Sequence, residues 1–223
     1  MAEPSGGGRL ITFEGIDGSG KSTQARALAA ALRAAGVPVL ATREPGGSAG
    51  AEEIRNLLLN GAPDRWSAES EILLFTAARR DHLERTIAPA LTRGETVICD
   101  RFVDSTRVYQ GAAAPRLRDL VDQLHRTMIA READLTFVID ISPEVGLARA
   151  MARQGGEMRF ESRGLDWQRR LREGFLKVAA EAPARIRLIA GDRPHAEVAA
   201  EIAALAGLAP GMATPPCPGN PLP

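Results

Sequence analysis

The stretch "FEGIDGSGKST", residues 13–23, sets three glycines, a lysine and the adjacent hydroxyls of Ser22 and Thr23 directly behind the apolar run "RLITF" (9–13). Such a run predicts a strand, and the pattern from Ser22 to about Ala35, with a stop signal at Gly36, predicts a helix. Between the two, Gly15, Gly20, Lys21 and Ser22 satisfy G-x-x-x-x-G-K-[ST] in the strand-before, helix-after setting that this pattern requires. Glycines let the backbone turn tightly. Successive N–H groups, joined by the free donors of the helix N-terminus, can then face phosphate oxygens. Gly15, Gly18, Ser19, Gly20, Lys21, Ser22 and Thr23 are therefore expected to bind the phosphates of a nucleotide, with Lys21 on the β- and γ-phosphates and Ser22 as a ligand of Mg²⁺. Of the 28 basic side chains only Lys21 and Lys177 are lysine, the rest being arginine. Where either cation would serve, this chain writes arginine, so Lys21 is there for being lysine.

Outward from the loop, short β-rich runs alternate with helical patterns. The strands "RLITFEG", "VPVLATREP", "ETVICD", "LTFVID" and "RIRLIA" are separated by helical stretches at 51–59, 68–92 and 118–132, by one opened by "SPEV" (142–145), and followed by one at 196–206. This order predicts an α/β protein of the P-loop NTPase type: a five-stranded parallel sheet with helices on both faces. Residues 9–208 are expected to form a single domain. The first eight residues and the proline-rich tail from 209 to 223 have too little apolar content to order themselves.

The 28 basic and 28 acidic side chains cancel, which gives no reason to expect a nucleic-acid polymer or an anionic membrane as partner. The longest apolar stretch, 27–41, is interrupted by Arg33 and Pro38, and "MAEPSGGGR" lacks the pattern of an export signal. Cys99 and Cys217 form neither a metal motif nor a disulfide framework. A cytoplasmic protein is expected.

Nucleotide binding leaves the fate of the γ-phosphate open. A guanine-reading N-K-x-D segment is absent from the sequence, and the apolar run before the third loop ends in "VICDRF" rather than in Asp-Glu. Asp100 there suits steadying Mg²⁺ through water, and Arg101 suits a second anion; Asp100 as a loop or helix-capping residue is the alternative.

Four segments, "FEGIDGSGKST", "TREPGG" (42–47), "LLFTAARRDH" (73–82) and "DRFVDSTRVYQG" (100–111), together resemble the bacterial thymidylate kinases, over about residues 9–206. The resemblance implies transfer of the γ-phosphoryl group of ATP to dTMP, with Mg²⁺ as cofactor and a homodimer as the assembly. It implies that Phe75 stacks on the thymine ring and that Arg79, one helical turn on, bonds its carbonyl edge; taken alone, Phe75 reads better as a core residue of an amphipathic helix. Arg43 and Arg101 are implied as clamps on the dTMP phosphate. Asp17 is implied to face the sugar 3′-hydroxyl and the metal-bound water, with Glu44 as its helper, and Arg55 to lie at the base pocket. Thr106, Tyr109 and Gln110 are implied to line the sugar and base, with Tyr109 closing the space of a ribose 2′-hydroxyl.

The stretch 149–172 carries seven arginines against three acids, with Gly155–Gly156 inside it. A solvated charged helix is one reading; a helical lid closing over the phosphates is the other. The bacterial group resembled here lacks an arginine in the glycine loop, as this chain does, and supplies one from the lid. Arg153, Arg159 and Arg163 are the candidates, Arg159 foremost as the catalytic cation, with Arg149 beside the adenine. Arg107 carries no assignment. A related kinase with another acceptor and a non-catalytic nucleotide switch are the two competing readings.

Overall fold

A computed structural model describes residues 8–62, 64–111, 114–152 and 164–208. Five strands, β1 (Leu10–Glu14), β2 (Val39–Arg43), β3 (Thr96–Asp100), β4 (Leu135–Asp140) and β5 (Ile186–Ala190), form one sheet in the order β2-β3-β1-β4-β5. All four pairings are parallel, with Ile11 of β1 flanked by Ile98 and Leu135, and Phe13 by Asp100 and Phe137. A central strand of such a sheet is covered on both faces and has no polar side to spend, hence "LITFE" is buried at every position.

The alternation of β1 sorts its side chains into two layers. Ile11 and Phe13 pack with Leu28 and Leu32 of α1 (Lys21–Ala34) and with Val198 and Ile202 of α9 (His195–Leu205). Leu10 joins the opposite layer, which contains Ile72 of α3 (Ala68–His82), Phe102 and Val121 of α6 (Pro115–Leu124). A third cluster joins Ile16 and Val138 to Val108 of α5 (Val103–Tyr109) and to Trp167, Leu171 and Phe175 of α8 (Gly164–Glu181). The remaining helices are α2 (Ala49–Leu59), α4 (Ala88–Thr92) and α7 (Pro143–Met151).

Three expectations change. The helical stretch expected over 68–92 holds a wide π turn, Leu83–Ile87, between α3 and α4. The one expected over 118–132 starts earlier, passes into a π turn at His125–Ile129 and stops there, because Ala130 takes a left-handed backbone (φ 52°). Helix α5 was not foreseen at all. It is seven residues long, starts behind Phe102 without a side-chain cap, and forms where tertiary burial supplies what propensity does not. Of the arginine-dense stretch, Arg149 lies in the last turn of α7 and residues 164–172 open α8. Residues 153–163, with Arg153, Arg159 and Arg163, lie outside the described residues, as do the two tails, 1–7 and 209–223.

Candidate active site

Parallel α/β sheets place ligands beyond the carboxyl ends of their strands, and here the loops after β1, β2 and β3 converge at that edge. The loop after β1 turns through positive φ at Gly15 (136°), Gly18 (78°) and Gly20 (92°). Gly18 shows why no larger residue fits: a Cβ there would stand 2.1 Å from the carbonyl oxygen of Gly146 in α7. Ser19 is buried within the loop, and its hydroxyl has no hydrogen-bond partner among the described residues.

Lys21, 6% exposed, folds back over the loop, with Nζ 3.5 Å from Asp17 Oδ1 and donating to the Ile16 carbonyl at 3.3 Å. Asp17 also receives Arg101 Nη2 and, at 3.0 Å, the Tyr109 hydroxyl. Burial pushes the Asp17 carboxyl up, but Arg101 and Lys21 outweigh it and hold the group below the usual range. Tyr109 is locked from behind by edge contacts of its ring with Trp167 and Phe175, at 6.5 and 6.2 Å between centroids. Burial raises its phenol, so it remains a neutral donor.

Beside this cluster opens a cleft lined by Asp17, Glu44, Pro45, Leu59, Phe75, Arg79, Arg101, Phe102, Ser105, Thr106, Tyr109 and Gln110. Eight residues expected at the acceptor site are among them: Asp17, Glu44, Phe75, Arg79, Arg101, Thr106, Tyr109 and Gln110. Phe75 is thus a partly exposed cavity wall rather than a core residue. Arg43 and Arg55 do not line the cavity. Arg43 Nη2 pairs with Glu52 of α2 at 3.2 Å, and Arg55 Nη1 donates to the Pro45 carbonyl at 2.5 Å. Burial and the nearby Arg43 lower the Arg55 pKa.

Arg79 is held from two sides of the cavity wall. Arg79 Nε donates to Glu44 Oε2 at 2.7 Å and Nη2 donates to Thr106 Oγ1 at 2.9 Å, with the guanidinium 5.3 Å from the Phe102 ring centre. Nη1 makes no hydrogen bond among the described residues. Glu44 is gripped on its other oxygen by His82, whose Nδ1 is 3.2 Å away and whose Nε2 lies 2.8 Å from Thr42 Oγ1. Burial works to raise the Glu44 carboxyl, and Arg79 and His82 overcome it and keep it ionised. Glu44 therefore supports Arg79 rather than Asp17. Gln110 donates its amide to Glu71 Oε2 at 3.3 Å.

Asp100 ends β3 with one carboxylate oxygen buried and without a hydrogen-bond partner among the described residues. An oxygen set of the Asp100 carboxylate and the Ser22 hydroxyl, at the mouth of a phosphate loop, fits Mg²⁺. Arg107, unassigned from sequence, is committed to a largely buried ion network. It is 9% exposed and ties Asp104, Asp122 and Glu132 together at 2.7–2.8 Å, and Arg185 adds a second grip on Asp104. Pro45, Leu59, Phe102 and Ser105 were missed as lining residues. Three of them fall within or beside recognised motifs, which was the available signal; Leu59 offered none.

The thymidylate kinase family model matches residues 13–202. A thymidylate kinase of Ruegeria pomeroyi is 65% identical over 198 residues, covering 89% of this chain and 94% of the relative. One of Dinoroseobacter shibae is 66% identical over 204 residues, covering 92% and 97%. Among solved structures, a thymidylate kinase from Ehrlichia chaffeensis superposes with a TM-score of 0.71 at 36% identity, covering 90% of this chain and 99% of that one. With its glycine loop, its cavity and these relatives in agreement, the chain belongs to the thymidylate kinase family.

Proposed function

We propose that this chain transfers the γ-phosphoryl group of ATP to dTMP, giving ADP and dTDP. The observation that carries the reading is the adjoining of two sites: the glycine loop with Lys21, and a cavity walled by Phe75, Arg79, Tyr109 and Gln110, meeting at Asp17 and Arg101. The donor phosphates lie on the loop and under Lys21. The acceptor is a phosphate oxygen whose second pKa is about 6, so it is largely ionised at neutral pH and no general base is needed. The protein's task is alignment and charge placement.

Arg101 grips the dTMP phosphate, and Arg43, released from Glu52, adds a second grip. Asp17 accepts from the sugar 3′-hydroxyl, while Tyr109, wedged by Trp167 and Phe175, fills the space a 2′-hydroxyl needs. Arg79 Nη1 donates to the base carbonyl at position 4. Because Gln110 gives its N–H to the acceptor-only carboxylate of Glu71, its carbonyl is left for the ring N3–H of thymine. Cytosine presents the opposite pattern at both positions. Ser22 and Asp100 would hold Mg²⁺, which when bound neutralises charge between the β- and γ-phosphates.

The segment between α7 and α8 is proposed as the lid, with Arg159, aided by Arg153 or Arg163, stabilising the transferring group and Arg149 beside the adenine. Exposed Leu57 on α2, Leu73 on α3 and Met128 supply apolar area for a homodimer. No helix among the described residues is long and apolar enough to cross a membrane, and the enzyme is proposed to act in the cytoplasm. The test is ADP release from Mg·ATP that requires dTMP.

A further inference from the structure

Glu14, the last residue of β1, is fully buried and takes no part in the chemistry above. Its carboxyl reaches across to the corner that follows β3. Oε1 accepts from the Phe102 backbone N–H at 2.8 Å, and Oε2 lies 2.5 Å from Ser105 Oγ. Ser105 Oγ in turn accepts from Arg101 Nη1 at 3.0 Å, while Arg101 Nη2 reaches Asp17 and the Tyr109 hydroxyl.

Arg101 holds a left-handed backbone, φ 72°. A non-glycine residue stays there only where its surroundings over-determine it. Glu14 does so twice, fixing the amide directly after Arg101 and, through Ser105, the guanidinium. A carboxyl in this place is costly to bury. Leu10, on the same face of β1 as Glu14, is fully buried among apolar side chains, so packing alone does not call for an acid. Burial, with the equally buried Asp104 nearby, pushes the Glu14 carboxyl up to about 8. That unfavourable environment is what a group kept for position rather than stability displays.

We propose that Glu14 is a positioning residue for Arg101, setting the guanidinium that grips the acceptor phosphate through the Phe102 amide and the Ser105 hydroxyl. The inference rests on the role given to Arg101 above.

The test is a double-mutant cycle. Glu14→Met fills similar volume and removes both bonds. Affinity for dTMP by calorimetry, and kcat/KM for dTMP and for ATP, are measured with and without Arg101→Ala. With Arg101 present, Glu14→Met should weaken dTMP binding and kcat/KM by roughly 10- to 100-fold, the scale of a hydrogen bond to a charged group, with the KM for ATP little changed. With Arg101 gone, the further loss should be under about twofold. Equal losses in the two backgrounds would mean a merely structural role and overturn the proposal. If Glu14→Met does not fold, Ser105→Ala cuts only the link to the guanidinium and must show the same dependence on Arg101; an additive loss overturns the proposal equally. Wild-type protein is assayed first: without dTMP-dependent ADP release the kinase reading itself falls, whereas an active wild type with additive losses sinks the role of Glu14 alone.

Discussion

Arg79 Nε and Glu44 Oε2 stand 2.7 Å apart with both side chains only 4% exposed, so the pair is a buried salt bridge in the wall of the cavity. Deleting one partner leaves the other charge desolvated and unpaired. Glu44→Ala is expected to lower the unfolding free energy by about 3–5 kcal/mol in urea denaturation and to raise the KM for dTMP. A loss below about 1 kcal/mol would show that water reaches the pair, contrary to the burial described.

Lys21 bonds within the loop to Asp17 and the Ile16 carbonyl, and Asp17 is also held by Arg101 and Tyr109. Lys21→Ala should therefore retain the wild-type melting temperature within a few degrees and lose about 10²-fold or more in kcat. An active variant contradicts the assignment of the loop.

The orientation of the Gln110 amide depends on Glu71 having no donor. Glu71→Gln supplies one, which allows Gln110 to turn its N–H toward the cavity. The ratio of kcat/KM for dTMP over dCMP is predicted to fall by about tenfold. An unchanged ratio would mean that Gln110 does not read the base edge.

Stability of the ligand-free protein should carry the signature of Glu14. Its folded pKa of about 8 lies above the ordinary 4.5, so between these values the folded chain keeps a proton that the unfolded chain has released. The stabilising contribution is complete below about pH 4.5 and declines as pH rises towards 8. Asp17 and Glu44, held low, act in the opposite sense but only in acid, where their contribution is lost as pH falls. Melting temperatures from about pH 5 to 8 should thus fall more steeply for the wild type than for Glu14→Gln. The three histidines are common to both proteins and cancel in the difference. Parallel curves would refute the raised pKa.

The parts of the site legible in the sequence were those whose chemistry admits few substitutes. Gly18 faces the Gly146 carbonyl, and Lys21 stands in a chain that otherwise writes arginine. The parallel sheet followed from the regular alternation of short strands with helices. What stayed hidden depends on tertiary contact. Helix α5 has neither length nor a side-chain cap to announce it. His82 and Glu14 read as ordinary polar residues, and only the fold shows them buried behind Glu44 and Arg101. Arg43 and Arg55 illustrate the converse: motif position marks an arginine without saying which partner holds it when no substrate is present.

The thymine methyl group sets a modest limit on selectivity, since one methyl in an apolar pocket is worth about 1–3 kcal/mol. The most direct test of the whole account is ADP release from Mg·ATP with dTMP, dUMP, UMP, dCMP, AMP, GMP and thymidine offered singly. The account predicts a rate that requires a nucleotide acceptor, is fastest with dTMP, is slower by roughly 10- to 200-fold in kcat/KM with dUMP, and is negligible with UMP and thymidine. Tight ATP binding with no acceptor-dependent ADP release, or a clear preference for another acceptor, would contradict it.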